Sequence, residues 1–98
     1  MLSLFSFSDV SGWDTANVKT ANWAFSNAYK FNQDLAAWKT GEFRDISSMF
    51  YGSRVFDSDL SKWDVGKVTS MSALFASAYV FNGDVSTWNT AKVTDISR

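Results

Sequence analysis

The chain has 98 residues, of which 46% are hydrophobic and 17% aromatic, enough to form the core of one small domain. Its 9 basic and 10 acidic residues give a formal net charge of −1, which argues against a nucleic-acid-binding or anionic-membrane-binding surface. Cysteine and histidine are absent, which excludes disulfides, thiol chemistry, and thiolate or imidazole metal ligands.

Residues 1–12 lack the basic start, the long apolar run and the cleavage site of a secretory signal, and the segment is too short to span a bilayer. We therefore expect no direct insertion into a membrane. Within this segment Asp9 and Val10 match Asp34 and Leu35, which indicates a partial copy of a repeat.

The repeat has a period of 25 residues, with no insertion or deletion. A strict period of this length predicts that each unit stacks on the next, because one unit cannot bury its apolar face alone. We divide the single domain, 1–98, into a partial coil (1–12), repeats 1, 2 and 3 (13–37, 38–62 and 63–87) and a second partial coil (88–98). The period relates Trp13, Trp38, Trp63 and Trp88; Asp34, Asp59 and Asp84; Phe25, Phe50 and Phe75; and Phe31, Phe56 and Phe81.

The first half of each repeat predicts a short amphipathic helix. In repeat 1 the apolar positions 18, 21, 24, 25 and 28 fall within an arc of about 120° on a helical wheel, and repeats 2 and 3 keep this pattern. Asn27, Gly52 and Ser77 would end the helices, because these residue types accept or tolerate a left-handed backbone at a helix C-terminus.

The second half of each repeat predicts a strand of about three to five residues that ends in a bend. The clearest copy runs from Phe31 to Trp38. Stacked units would place equivalent residues about 4.8 Å apart, so that tryptophan and phenylalanine ladders fill the space between strand and helix. The predicted fold is an α/β solenoid of about four 25-residue coils, each with a short strand and a short helix.

The aspartate ladder has two interpretations. In the structural one, each carboxylate accepts backbone N–H groups in the turn between positions 31 and 35, where tight coils leave donors without partners. In the functional one, the ladder binds calcium between coils, together with Asn32, Asp57 and Asn82. The sequence lacks the glycine-rich, densely acidic pattern of calcium-binding β-rolls, so we predict no metal site.

The motif Phe-Asn-Gln-Asp-Leu-x-x-Trp at 31–38, followed in repeat 3 by Val68-x-x-Met71-x-x-Leu74-Phe75, resembles the BspA-like leucine-rich-repeat family. The similarity is strongest to its branch in mycoplasma surface lipoproteins, a domain of unknown function. The chain departs from that pattern at Phe43, Gly41-Glu42, Ala21 and Ala24. The resemblance implies a leucine-rich-repeat-like solenoid, cell-surface or extracellular display and adhesion, with no catalytic or cofactor-binding residue.

An enzyme is not expected. The chain has no histidine base, no cysteine nucleophile, no Gly-x-Ser-x-Gly elbow and no phosphate-binding loop. A carboxylate pair such as Asp57 and Asp59 recurs with little change in neighbouring repeats, whereas an active site needs asymmetry. We therefore predict no catalytic residue, no cofactor and no nucleic-acid partner.

A candidate protein-binding surface consists of Trp23, Tyr51 and Arg54. Trp23 is predicted on the outer helix face, and the equivalents of Trp23 and Tyr51 in other repeats are serine or alanine. Two structural alternatives remain open. Trp23 could instead cover the neighbouring coil or the N-terminal end. The basic residues could belong to a mixed, solvated face with Glu42 and Asp45; they are Lys19, Lys30, Arg44 and Arg54.

These patterns predict a non-catalytic protein-interaction or adhesion module that binds protein, with glycan as a lesser option. The alternative is a structural spacer without a ligand. Self-association is also expected, because Leu2, Leu4, Phe5 and Phe7 at one end, and Val93 and Ile96 at the other, form no recognisable cap. Among end-to-end arrangements, closed two-fold pairing is favoured over an open fibre.

Overall fold

The computed structural model of the chain describes residues 9–96. Four of the residues on which the expected self-association rests lie outside this range: Leu2, Leu4, Phe5 and Phe7. Within this range there is no helix and no strand longer than a single bridge residue. The parallel bridges are Thr20–Asp45, Asp45–Ser70 and Ser70–Asp95. The predicted α/β solenoid, with a strand and a helix in every coil, is therefore wrong. The chain is a compact body of 33 × 28 × 23 Å built from turns, in which residues 25 apart face each other.

The segment predicted to be helical is a series of tight turns. Ala24, Ser26 and Ala28 donate their N–H groups to carbonyls three residues earlier, at N···O distances of 3.1–3.2 Å. The residues between them donate to repeat 2 instead; for example, the N–H of Phe25 lies 2.9 Å from the carbonyl oxygen of Met49. An α-helix requires every N–H to bond four residues back within the segment. It cannot form where alternate N–H groups bond to the next repeat.

Two positions in each turn segment adopt a left-handed backbone. The predicted one is confirmed, since Asn27, Gly52 and Ser77 have φ of 59°, 69° and 59°, although no helix ends there. At Gly52 a side chain would collide with Oδ1 of Asn27, so a larger residue there would require the Asn27 side chain to move. The second position was not predicted: it holds Trp23, Ser48 and Ala73, with φ of 64°, 57° and 55°.

The core consists of aromatic ladders that run through the stack. Phe50 lies between Phe25 and Phe75, with ring centroids 5.8 Å from each, and Trp38 stacks on Trp63 at 6.3 Å. These separations exceed the predicted 4.8 Å. Within repeat 2, the rings of Phe50 and Phe56 also stack, 4.1 Å apart. The apolar pattern thus identified the inward side chains, which pack inside a ring of turns instead of between a strand and a helix.

Buried threonines join successive repeats. The hydroxyl of Thr15 donates to the carbonyl of Lys39 and accepts the N–H of the same residue, at 3.0 and 3.1 Å. Thr40 makes the same pair of bonds to Asp64, at 3.1 and 2.9 Å. The equivalent residue in repeat 3 is Val65, which cannot form them.

Candidate functional site

The carboxylates of the aspartate ladder accept hydrogen bonds within local turns. The carboxylates of Asp34, Asp59 and Asp84 each accept the N–H of the residue two positions later, at 2.9 Å. The donor lies beyond the 31–35 turn in which the structural interpretation placed it. Hydrogen bonds from the backbone and side chain of Ser61 lower the pKa of Asp59, and those from the side chain and backbone of Ser86 lower the pKa of Asp84.

The other oxygens of the calcium interpretation hold neighbouring repeats together. Asn32 accepts the N–H of Asp57 at 2.7 Å, and Asp57 accepts the N–H of Asn82 at 2.9 Å. Within residues 9–96 no group of 3 or more acidic residues is arranged to hold a metal ion. The ladder oxygens are thus used to fix the backbone.

Trp23 and Tyr51 of the predicted binding surface lie against each other. Their ring centroids are 5.9 Å apart, with 47° between the ring planes. Trp23 therefore covers part of repeat 2, as the structural alternative expected, while 46% of its surface stays exposed. Tyr51 is half-buried. The contact spans two repeats and leaves nearly half of the Trp23 surface exposed to solvent.

Arg54 is paired with an aromatic residue that sequence reasoning missed. Its guanidinium carbon lies 4.5 Å from the centroid of the exposed Tyr29 ring, a cation–π contact. Tyr79, at the equivalent position of repeat 3, is 74% exposed. The signal was present in the sequence, because positions 29, 54 and 79 are 25 apart and read tyrosine, arginine, tyrosine. We call Trp23, Tyr29, Tyr51, Arg54 and Tyr79 the aromatic surface.

Of the basic residues assigned to a mixed, solvated face, Arg44 lies beside Glu42 as that interpretation expected. Arg44 lies 3.8 Å from the carboxylate of Glu42, which also accepts a 2.6 Å hydrogen bond from Lys67. That hydrogen bond and the charge of Lys67 lower the pKa of Glu42. These side chains are half exposed, so the contacts add little to stability.

A cavity of about 520 Å³ opens on repeat 1. Two of its lining residues, Ala21 and Ala24, occupy positions that hold the larger Ile46 and Met49 in repeat 2. The alanines were recognised as departures from the repeat pattern, but the cavity was not predicted. None of its lining residues carries an ionisable group; they are Trp13, Thr15, Val18, Thr20, Ala21, Asn22, Trp23, Ala24, Trp38 and Phe43.

Among residues 9–96 there is no helix with the length and apolarity needed to cross a membrane.

Comparison with known proteins identifies the family. No curated protein and no solved structure matches the chain. One family model, described as a Mycoplasma protein of unknown function, DUF285, matches residues 2–98. Since this match covers nearly the whole chain and fits the predicted mycoplasma repeat family, the chain belongs to the DUF285 family of Mycoplasma proteins.

Proposed function

We propose that the chain is a non-catalytic protein-interaction module of the adhesion type, presented at the cell surface, and that the aromatic surface is its binding site. The observation that carries this proposal is the exposure of Trp23. Trp23 is 46% exposed, and Arg54 lies over the exposed ring of Tyr29. Exposed aromatic residues and arginine are the residue types that dominate the binding energy of protein interfaces. The lack of ionisable groups around the cavity supports a module without chemistry of its own.

The backbone conformation of Trp23 is unfavourable for a bulky residue. A bulky residue with φ of 64° costs about 1–2 kcal/mol relative to the right-handed region, and Ser48 and Ala73 meet the same backbone requirement with smaller side chains. The fold therefore does not need an indole at this position. What the indole provides is contact area, part on Tyr51 and part towards solvent.

Arg54 and Tyr29, together with the exposed Tyr79 at the equivalent position of repeat 3, supply the polar part of the surface. The guanidinium over Tyr29 keeps its N–H donors available, and no described residue forms an ion pair with it. A partner that brings a carboxylate to this point would form a charge-assisted, two-pronged hydrogen bond. We therefore favour a protein ligand over a glycan, and we attribute adhesion and surface display to the similarity to BspA-like repeats.

The experiment is binding of the labelled 98-residue chain to cultured epithelial cells. We expect saturable binding that is lost when the cells are treated with trypsin and retained after treatment with glycosidases. Replacing Trp23, Tyr51 and Arg54 by serine should abolish binding, whereas replacing the exposed Val55 and Val80 by serine should not. Binding that fails to saturate, or that ignores the triple variant, would reject the proposal and favour the structural spacer. Loss after glycosidase treatment would identify a glycan ligand.

A further inference from the structure

Every pair of successive repeats is joined by the same parallel pattern of backbone hydrogen bonds. At each bridge, an N–H of the earlier repeat bonds to a carbonyl of the later one, as in Ala21 to Asp45 and Met71 to Asp95, both at 2.9 Å. One residue before the bridge the direction reverses, and the N–H of Thr94 donates to the carbonyl of Thr69 at 2.9 Å. All three bridges are parallel. The two faces of any layer are therefore different and complementary.

The segments 13–21 and 88–96 are equivalent in the period and lie at opposite ends of the described stack. We call them the head face and the tail face. The head face offers the carbonyl of Thr20 and the N–H of Lys19, and the tail face offers the N–H of Ile96 and the carbonyl of Thr94. No hydrogen bond joins any of these four groups to a described residue.

Apolar groups accompany the backbone groups on both faces. On the head face, Trp13 is 43% exposed and has a stacking partner on one side, Trp38, at 6.4 Å. On the tail face, Trp88 is stacked on Trp63 at 6.4 Å, and Ile96 is 66% exposed. The cavity beside Ala21 adds further apolar surface to the head face. The stacked residues Trp13, Trp38, Trp63 and Trp88 form a tryptophan column, and the bridged residues Thr20, Asp45, Ser70 and Asp95 form a bridge column. Each face thus carries one end of each column.

We propose that this chain binds a second copy of itself head to tail, with the tail face of one copy on the head face of the next. The columns then continue across the junction: Trp88 stacks on the partner copy's Trp13, and Asp95 forms a parallel bridge with its Thr20. The hydroxyl of Thr90 reaches the backbone of the partner copy's Asp14, as Thr15 reaches Lys39 within the chain. This arrangement replaces the closed two-fold pairing expected from the sequence, because only head-to-tail contact repeats the geometry by which the chain already stacks. It does not depend on the proposed function, since the bridge, the stacked tryptophans and the Thr90 bonds use no residue of the aromatic surface; Trp23 shares only the lining of the cavity.

Cysteine cross-linking tests the direction of the contact, because the natural chain contains no cysteine. The variants are Thr20→Cys and Asp95→Cys, both at exposed positions. Neighbouring residues of a parallel bridge lie at a separation that a disulfide can span. On mild oxidation of an equimolar mixture, we expect the mixed disulfide to exceed the two like-with-like disulfides together. Random coupling would give equal amounts of mixed and like pairs.

Two controls keep the test decisive. The double variant Asp45→Cys/Ser70→Cys, at an existing bridge, should close within one chain and shows that this geometry oxidises. Ile96→Lys, on the tail face, should reduce the mixed disulfide at least tenfold, whereas Val55→Lys should not, since the equivalent residue in repeat 1 is Lys30. Predominance of the Thr20→Cys homodimer would establish head-to-head pairing and overturn the proposal. Coupling no better than random, or a monomer in light scattering at high concentration, would also overturn it.

Discussion

Repeats 2 and 3 carry similar apolar residues, but they bury them to different extents. Ile46, Met49 and Phe50 of repeat 2 are fully buried, whereas Met71 and Phe75 of repeat 3 remain partly exposed. Repeat 2 lies between two complete repeats. On its far side repeat 3 meets only the half-repeat 88–96 within the described range. Burial in this fold is therefore supplied by the neighbouring layers and not by the sequence of the repeat itself.

The local turns do not share this difference. The carboxylates of Asp59 and Asp84 accept the N–H two residues later at the same distance, 2.9 Å, and the turns that end at Trp63 and Trp88 both close at 3.1 Å. Turn bonds are thus formed within a repeat, and core packing is formed between repeats. The stabilising interactions therefore fall into two classes: turn bonds that do not depend on the position of the repeat in the stack, and core packing that does. Substitutions can test each class.

The largest effect is expected in the phenylalanine ladder. Phe50→Ala should lower the free energy of unfolding by about 3–5 kcal/mol, because it removes a fully buried ring that lies between two others. Phe75→Ala, at the same position of repeat 3, should cost about 1.5–3 kcal/mol, since its ring is partly exposed and the site can collapse. Urea denaturation with unchanged m-values measures both. Equal losses would show that burial does not depend on position in the stack.

The sequence was sufficient to predict these ladders, because a rigid 25-residue period places equivalent residues in contact whatever the local structure is. It was also sufficient for the left-handed position at Asn27, Gly52 and Ser77, where residue type reports backbone conformation. The aromatic surface was found in part, since Trp23 and Tyr51 differ from their equivalents. Tyr29 was missed because its cation–π partner, Arg54, comes from the next repeat.

The sequence alone could not decide whether the first half of each repeat forms a helix. A succession of turns closed by bonds between residues three apart also directs every third or fourth side chain inwards, so positions such as Val18, Ala21 and Phe25 fit both structures. What separates the two is the destination of the N–H groups, and here half of them bond to the next repeat. The left-handed backbone at Trp23 follows from the same inter-repeat bonding, for which tryptophan gives no local signal.

A smaller effect is expected at the threonine links. Thr40→Val should cost about 1–3 kcal/mol, because it removes both bonds to Asp64 and leaves a backbone N–H and a carbonyl without their partner. Thermal or urea unfolding measures the loss. An unchanged stability would mean that water replaces the hydroxyl at this buried position.

The reverse substitution lies in repeat 3 and tests whether a repeat near the edge can be improved. Val65→Thr places a hydroxyl at the position that Thr40 occupies in repeat 2, where it can bond to the backbone of Asn89. We expect a gain of about 0.5–1 kcal/mol, less than Thr40→Val loses, because Asn89 is exposed and water already solvates its backbone. Destabilisation would show that the hydroxyl finds no partner and that the link needs a complete repeat on its far side.

The smallest effects belong to the turn carboxylates, which should be indifferent to position. Hydrogen bonds hold the pKa of Asp59 and Asp84 below the usual value of 3.8 in the folded chain. Their contribution to the free energy of unfolding is therefore complete above pH 3.8 and is lost as the pH falls below this value through the lowered pKa of the folded chain. The reason is that the same carboxylates take up protons at a higher pH in the unfolded chain than in the folded one. Asparagine keeps the acceptor without titrating; Asn89 already accepts the N–H of Ala91 at 3.1 Å.

Asp59→Asn and Asp84→Asn should therefore each reduce the drop in melting temperature between pH 7 and about pH 3, and by the same amount, although the first lies in repeat 2 and the second in repeat 3. The measurement is made at high salt, which screens the charges of Lys62 and Asp84 that act on Asp59 and leaves the turn bonds. A clearly larger effect of Asp59→Asn would break the division between the two classes. It would mean that the turns, like the core, derive their stability from the layers on either side.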